Sequence, residues 1–254
     1  MKRQQAPTHQ IAQSDTVVTP VELTVFEPFI TQRKKEGTFS RSVFPPILTS
    51  ITIMQSFNDL FRIILEGDQQ SSRKAARGVR KLLYSSKSEK EQYIEIKKIV
   101  NNADEVYRNI KEGWRQENFV MAVSVIYFLH DKENEQDFLF PWLFYLIQHD
   151  NGNIRQSAVR MFRNELGPLT VHIRCPENSF ALNKIRNEKR DLILSGMHKG
   201  LHFLLRRFYK PLYKKYKYVS LLPTGQYKSI QLVLGELEDD CGEKYTKKLR
   251  EGIN

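Results

Sequence analysis

Arg206, Arg207, Lys210, Lys214, Lys215 and Lys217 alternate with Phe208, Tyr209, Tyr213, Tyr216 and Tyr218, and no acid intervenes between Asp191 and Glu236. Lys and Arg neutralise phosphates and release counterions, while an aromatic ring offers a face to an unpaired base. The mixture therefore suits RNA or single-stranded DNA. The competing account is a solvated basic helix end whose Tyr rings pack on the core. A second set, Arg73, Lys74, Arg77, Arg80 and Lys81, is matched further along by Arg155, Arg160 and Arg163. These cations can line one helical surface, although Lys and Arg also populate solvent-facing helix positions through propensity alone.

Other chemistry has less support. His198 and His202 stand four apart and share a helical face, but Lys199, Gly200 and Leu201 lie between them, with no Glu in the metalloprotease position and no third ligand nearby in sequence. His172 and Cys175 are three apart without a companion pair. There is no GxGxxG, no GxxxxGK followed by Ser or Thr, and no GxSxG, so phosphate-cradling loops and a nucleophile elbow are missing as motifs. Adjacent Asp239 and Asp240 read as a helix start rather than an acid and base in two different environments. No catalytic residue, metal or cofactor is expected.

Charge supports an anionic partner. The chain carries +11 overall, yet residues 152 to 235 hold 16 Lys and Arg against 4 Asp and Glu. Residues 104 to 150 reverse the balance, with nine acids against four bases, so an acidic middle precedes a strongly basic part. With 40% hydrophobic and 27% charged residues in 254, the composition is that of a chain able to bury a core. The longest apolar runs, Val120 to Leu129 and Phe138 to Ile147, fall short of the ~20 residues a membrane span needs and read as core helices. Cys175 and Cys241 form neither a disulfide framework nor a zinc cluster, which fits a reducing cytoplasmic or nuclear setting. Lys2 and Arg3 are followed by no apolar run, so Met1 to Pro20 is expected to be a disordered tail rather than a secretory signal.

The elements that would carry these side chains are mostly helical. An extended arm is expected near Val21 to Ile30. Helices follow at Ile47 to Leu65, Ser72 to Tyr84, from a capping box at Ser88 and Glu91, and at Asp104 to Arg115, Glu117 to His130, Phe138 to Gln148 and Asn153 to Leu166. Gly167 and Pro168 are expected to end the last of these, with a short strand allowed at Leu169 to Cys175. Asn183 to Tyr209 and Asp239 to Arg250 are the remaining helices, the former open to interruption at Gly196 or Gly200.

One phrase recurs through the helices around Ala76, Ala122 and Ala158, at spacings of 46 and 36 residues. Asp68, Arg73, Ala76 and Val79 align with Asp150, Arg155, Ala158 and Met161. A small Ala within an apolar stripe lets a neighbouring helix approach closely, which a repeat needs because one pair cannot bury its own face. On these residues the chain resembles HEAT-like and armadillo-like helical repeat proteins, whose periods are about 40 to 47 residues, over roughly residues 50 to 170. Chance recurrence in an ordinary helical bundle is the alternative. The resemblance implies an α-solenoid-like stack of antiparallel helix pairs, with second helices lining a basic concave side. The expected organisation is a tail and arm over 1–45, repeats over 46–170 and a basic helical region over 171–254. Three functions fit it: non-catalytic nucleic-acid binding, which the charge pattern favours; an adaptor for an acidic protein segment; and a HEAT-like alkylpurine DNA glycosylase. The glycosylases use a catalytic Asp beside aromatic residues, but neither Trp114 nor Trp142 lies in such a motif, so no residue is carried over.

Overall fold

Ser56 starts the first helix with a reciprocal cap: its hydroxyl accepts from the Asp59 amide at 3.1 Å, while the Asp59 carboxylate accepts from the Ser56 amide at 3.3 Å. The computed structural model describes residues 56–85, 90–132, 135–176 and 187–251. The expected tail, the arm, the start of the helix at Ile47 and the Ser88 cap lie outside them. The described helices are α1 (Phe57–Glu66), α2 (Gln69–Leu83), α3 (Lys90–Asn101), α4 (Ala103–Asn109), α5 (Gly113–Ile126), α6 (Phe140–Leu146), α7 (Gly152–Arg174), α8 (Asn187–Phe208) and α9 (Gln226–Glu251). The fold is mainly α, with no strand among the described residues. Pro141 sits in the first turn of α6, where its missing N–H costs nothing.

The spacing of the repeated alanines reappears as the offset between neighbouring helices. Asn118 of α5 donates to the Ser72 hydroxyl of α2 at 3.0 Å, 46 residues away. Asn153 of α7 donates to Glu117 of α5 at 2.7 Å, and Arg160 of α7 donates to the Ser124 hydroxyl of α5 at 3.3 Å, both across 36 residues. Ala76, Ala122 and Ala158 are all buried. Consequently α2, α5 and α7 lie side by side, starting at the same end. A fourth member, α9, joins them: Gln226 donates to Asp150 at 2.9 Å, Arg163 pairs with Glu236, and Thr170 donates to Asp240 at 2.9 Å. One apolar cluster runs through the molecule from Phe57 to Leu249.

Three expectations are corrected. First, α7 does not end at Gly167 and Pro168, nor does a strand follow; the helix continues to Arg174. Pro168 removes one backbone hydrogen bond, but Leu169 and Thr170 are fully buried, Thr170 against Asp240 of α9, and tertiary packing outweighs the local break. Second, Gly196 and Gly200 do not interrupt α8. Gly200 instead admits Phe144: a Cβ there would lie 2.9 Å from the Phe144 ring. Third, Asp239 and Asp240 do not start a helix. They lie inside α9, which breaks at Gly242, where φ is +70°, a value that favours glycine.

Two part-buried histidine contacts link separate elements, one between the turn after α5 and α7, the other between α7 and α8. His130 Nε2 lies 2.8 Å from Glu165 Oε1, and the Lys132 amide donates to His130 Nδ1, so the ring carries its proton on the nitrogen facing Glu165. His172 of α7 and Tyr245 of α9 both meet the Asp191 carboxylate of α8.

Candidate nucleic-acid interface

Asp68 sets the orientation of α2 by accepting from the amides of Gln70 and Ser71 at 2.8 and 2.9 Å. The Ser71 contacts hold its carboxyl below the usual carboxylate value. Ala75, Ala76 and Val79 turn inward, so Arg73, Lys74, Arg77, Arg80 and Lys81 all point to solvent. Arg73, Arg77 and Arg80 follow i, i+4, i+7 spacing and form one stripe about 10 Å long. None of the five makes an ion pair with a described carboxylate.

The expected counterparts on α7 behave differently. Arg155 is only 5% exposed, and its guanidinium donates to the carbonyls of His149 and Asp150, both at 2.7 Å. It satisfies backbone acceptors just ahead of α7 and is not a surface cation. Burial lowers its affinity for the proton, an effect opposed by nearby Asp150. Arg163 is neutralised by Glu236, and Arg160 leans on Ser124. Arg115 of α5 and Ser72 of α2 perform the task of Arg155 at another position, both donating to the Ile64 carbonyl at the end of α1.

The C-terminal cluster spans the last turn of α8 and the connection from α8 to α9. Arg206, Lys210, Lys214, Lys215 and Lys217 are exposed, and none pairs with a described carboxylate. Arg207 is exposed too, with one donor on Gln148 at 3.2 Å. Tyr213 stacks on Tyr227 with centroids 4.7 Å apart, and Tyr209 meets both rings edge-on. That trio anchors the connection to the start of α9, so one face of Tyr213 is already taken. Lys215 sits over Tyr216 and Lys217 over Tyr218. Lys228 clamps the connection by donating to the carbonyls of Ser220 and Leu222 at 2.8 and 3.0 Å.

The cations therefore fall into two zones, one on α2 and one beside α9, with α5 and α7 between them. Across that interval, Arg115 faces backbone carbonyls and Glu117 is held by Asn151 and Asn153. No described helix is long and apolar enough to cross a membrane.

A third site was not legible in the sequence. His198 and His202 of α8 meet Glu238 of α9, with His198 Nε2 lying 3.2 Å from His202 Nε2 and 3.4 Å from Glu238 Oε1. Burial first, and then the neighbouring His202, hold the His198 imidazole below its usual value. Burial pushes the Glu238 carboxyl up, but hydrogen bonds to Arg250 and His198 outweigh it and leave it lowered. Comparison of the chain with protein-family models, with curated proteins and with solved structures found no match.

Proposed function

We propose that this chain is a non-catalytic, HEAT-like helical repeat protein that binds nucleic acid through the phosphate backbone. In this reading α2, α5, α7 and α9 are the second helices of antiparallel pairs, and the exposed cations of α2 form one end of the binding face. The observation that carries the proposal is that Arg73, Arg77 and Arg80 share a stripe with no described carboxylate against them. A free guanidinium stripe of about 10 Å is long enough to meet successive phosphates of one strand. The zone beside α9 supplies Arg206, Lys210, Lys214 and Lys215 as a second contact. Two helices separate the zones, and at about 8–10 Å between neighbouring axes a strand touching both must cover roughly 25–30 Å.

Binding of labelled single-stranded RNA, single-stranded DNA and duplex, measured across a salt series, tests this. Changing Lys210, Lys214 and Lys215 together to Ala is expected to weaken binding to every sequence and flatten the salt slope by about 0.7–0.9 per lost contact. Failure to bind all three polymers at low salt overturns the proposal in favour of an acidic protein partner. Release of free base from alkylated DNA would replace it with the glycosylase.

A further inference from the structure

We propose that His198, His202 and Glu238 form a site for a divalent transition ion, with zinc the best fit. The two histidines stand one helical turn apart on α8 and their rings approach to 4.4 Å between centroids. Glu238 reaches them from α9, its Oε1 3.4 Å from His198 Nε2 and 3.7 Å from His202 Nε2. The third edge of this triangle, between the two ring nitrogens, is 3.2 Å.

Those lengths decide the chemistry. Zinc takes imidazole nitrogen at about 2.0–2.1 Å and carboxylate oxygen at about 2.0–2.2 Å. Two such ligands at a tetrahedral angle lie about 3.3–3.5 Å apart. The observed triangle needs shifts of only a few tenths of an ångström to accept the ion. Nitrogen and oxygen donors without sulfur also admit cobalt, nickel or copper, whereas magnesium and calcium prefer oxygen alone. Among the described residues this is the only group of three or more His, Cys, Asp or Glu side chains with ligand atoms converging in this way.

The surroundings suit an ion with one open position. His198 is 2% exposed, so the site has a firm floor. A cavity of about 480 Å³, lined by Phe203, Leu249 and both histidines, leaves room for water as the fourth ligand. Arg250 works against the ion: its Nη2 donates to the same Glu238 oxygen at 2.9 Å. Its side chain is largely exposed, so it can swing away, but while it is present it competes with the ion for that oxygen. Lys199 and Arg206, also at the cavity, add to the positive field. Replacing Arg250 should therefore tighten binding, a result specific to this site.

The test uses the full chain, freed of metal by chelation and titrated with zinc chloride by calorimetry, with cobalt chloride followed by visible absorption. One equivalent is expected to bind, cobalt is expected to show tetrahedral bands, and zinc is expected to raise the melting temperature. His202→Ala and Glu238→Gln, at partly exposed positions that preserve the fold, should each weaken zinc binding at least tenfold, and R250Q should strengthen it severalfold. Helical circular dichroism confirms that the variants are folded. Absence of stoichiometric zinc binding by the wild-type chain overturns the proposal. So does binding that His202→Ala leaves unchanged, which would assign the ion to other side chains.

Discussion

Helices α2 and α7 carry the same phrase and put it to opposite uses. In α2, Arg73 and the cations that follow it face solvent without carboxylate partners. In α7, the aligned Arg155 is buried on backbone carbonyls, Arg163 is paired with Glu236, and Arg160 is drawn to Ser124. Arg155 meets the turn just before its own helix, whereas for Arg160 and Arg163 the difference is one of neighbours. α2 packs on α1 and α5, while α7 lies between α5 and α9 and also contacts α6 and α8. A basic residue flanked by helices on both sides meets acceptors and becomes part of the framework. The same residue on a helix with fewer neighbours keeps its charge for a partner.

The strongest way to break this comparison is to remove the arginine from each helix. Arg155→Ala strips donors from two carbonyls and leaves space behind, so urea unfolding should show a loss of about 2–4 kcal/mol. Arg73→Ala should stay within about 0.5 kcal/mol of wild type. Equal losses would mean that α2 and α7 are not differently built. A smaller effect comes from enlarging the aligned alanines. Ala158→Leu, between two neighbours, should cost about 1–3 kcal/mol in the same assay, with Ala76→Leu at or below the lower end of that range. Smaller still is the ion pair: Arg163→Ala should cost about 0.2–1 kcal/mol, because both side chains are partly exposed.

The last contrast carries no stability change and concerns the packing of α9 against α7. Cys175, just past α7, is exposed, whereas Cys241 in α9 is buried, with its thiol pushed up to about 12, chiefly by burial and then by Asp240. At pH 8 roughly one Cys241 in ten thousand is then a thiolate. Iodoacetamide should label Cys175 in the folded protein and reach Cys241 only on unfolding. Rapid labelling of both would show that α9 packs less tightly than its contacts imply.

The helical class was legible because apolar residues such as Ile154, Ala158, Met161 and Phe162 recur at helical spacing, and burial leaves a trace in residue type. The fate of Arg155 left none: its partners are backbone carbonyls, which every sequence has. The continuation of α7 through Pro168 was hidden for a related reason. Its compensation comes from burial of Leu169 and Thr170, the latter against Asp240 of α9, far along the chain. Tyr213 looked free for a base because Tyr227, which covers it, belongs to the next helix. The His198 and His202 pair lacked a third ligand within local spacing, and only the meeting of α8 with α9 brings Glu238 to it.

The decisive measurement is the salt dependence of single-stranded RNA binding by wild type, by the Arg73→Ala, Arg77→Ala, Arg80→Ala triple variant, and by Arg163→Ala. If the free cations of α2 hold the phosphates, the triple variant should flatten the slope of log K against log salt by about 2 units, at about 0.7 per contact, and Arg163→Ala should leave it unchanged. An unaltered slope for the triple variant, with Arg163→Ala alone reducing it, would contradict the account.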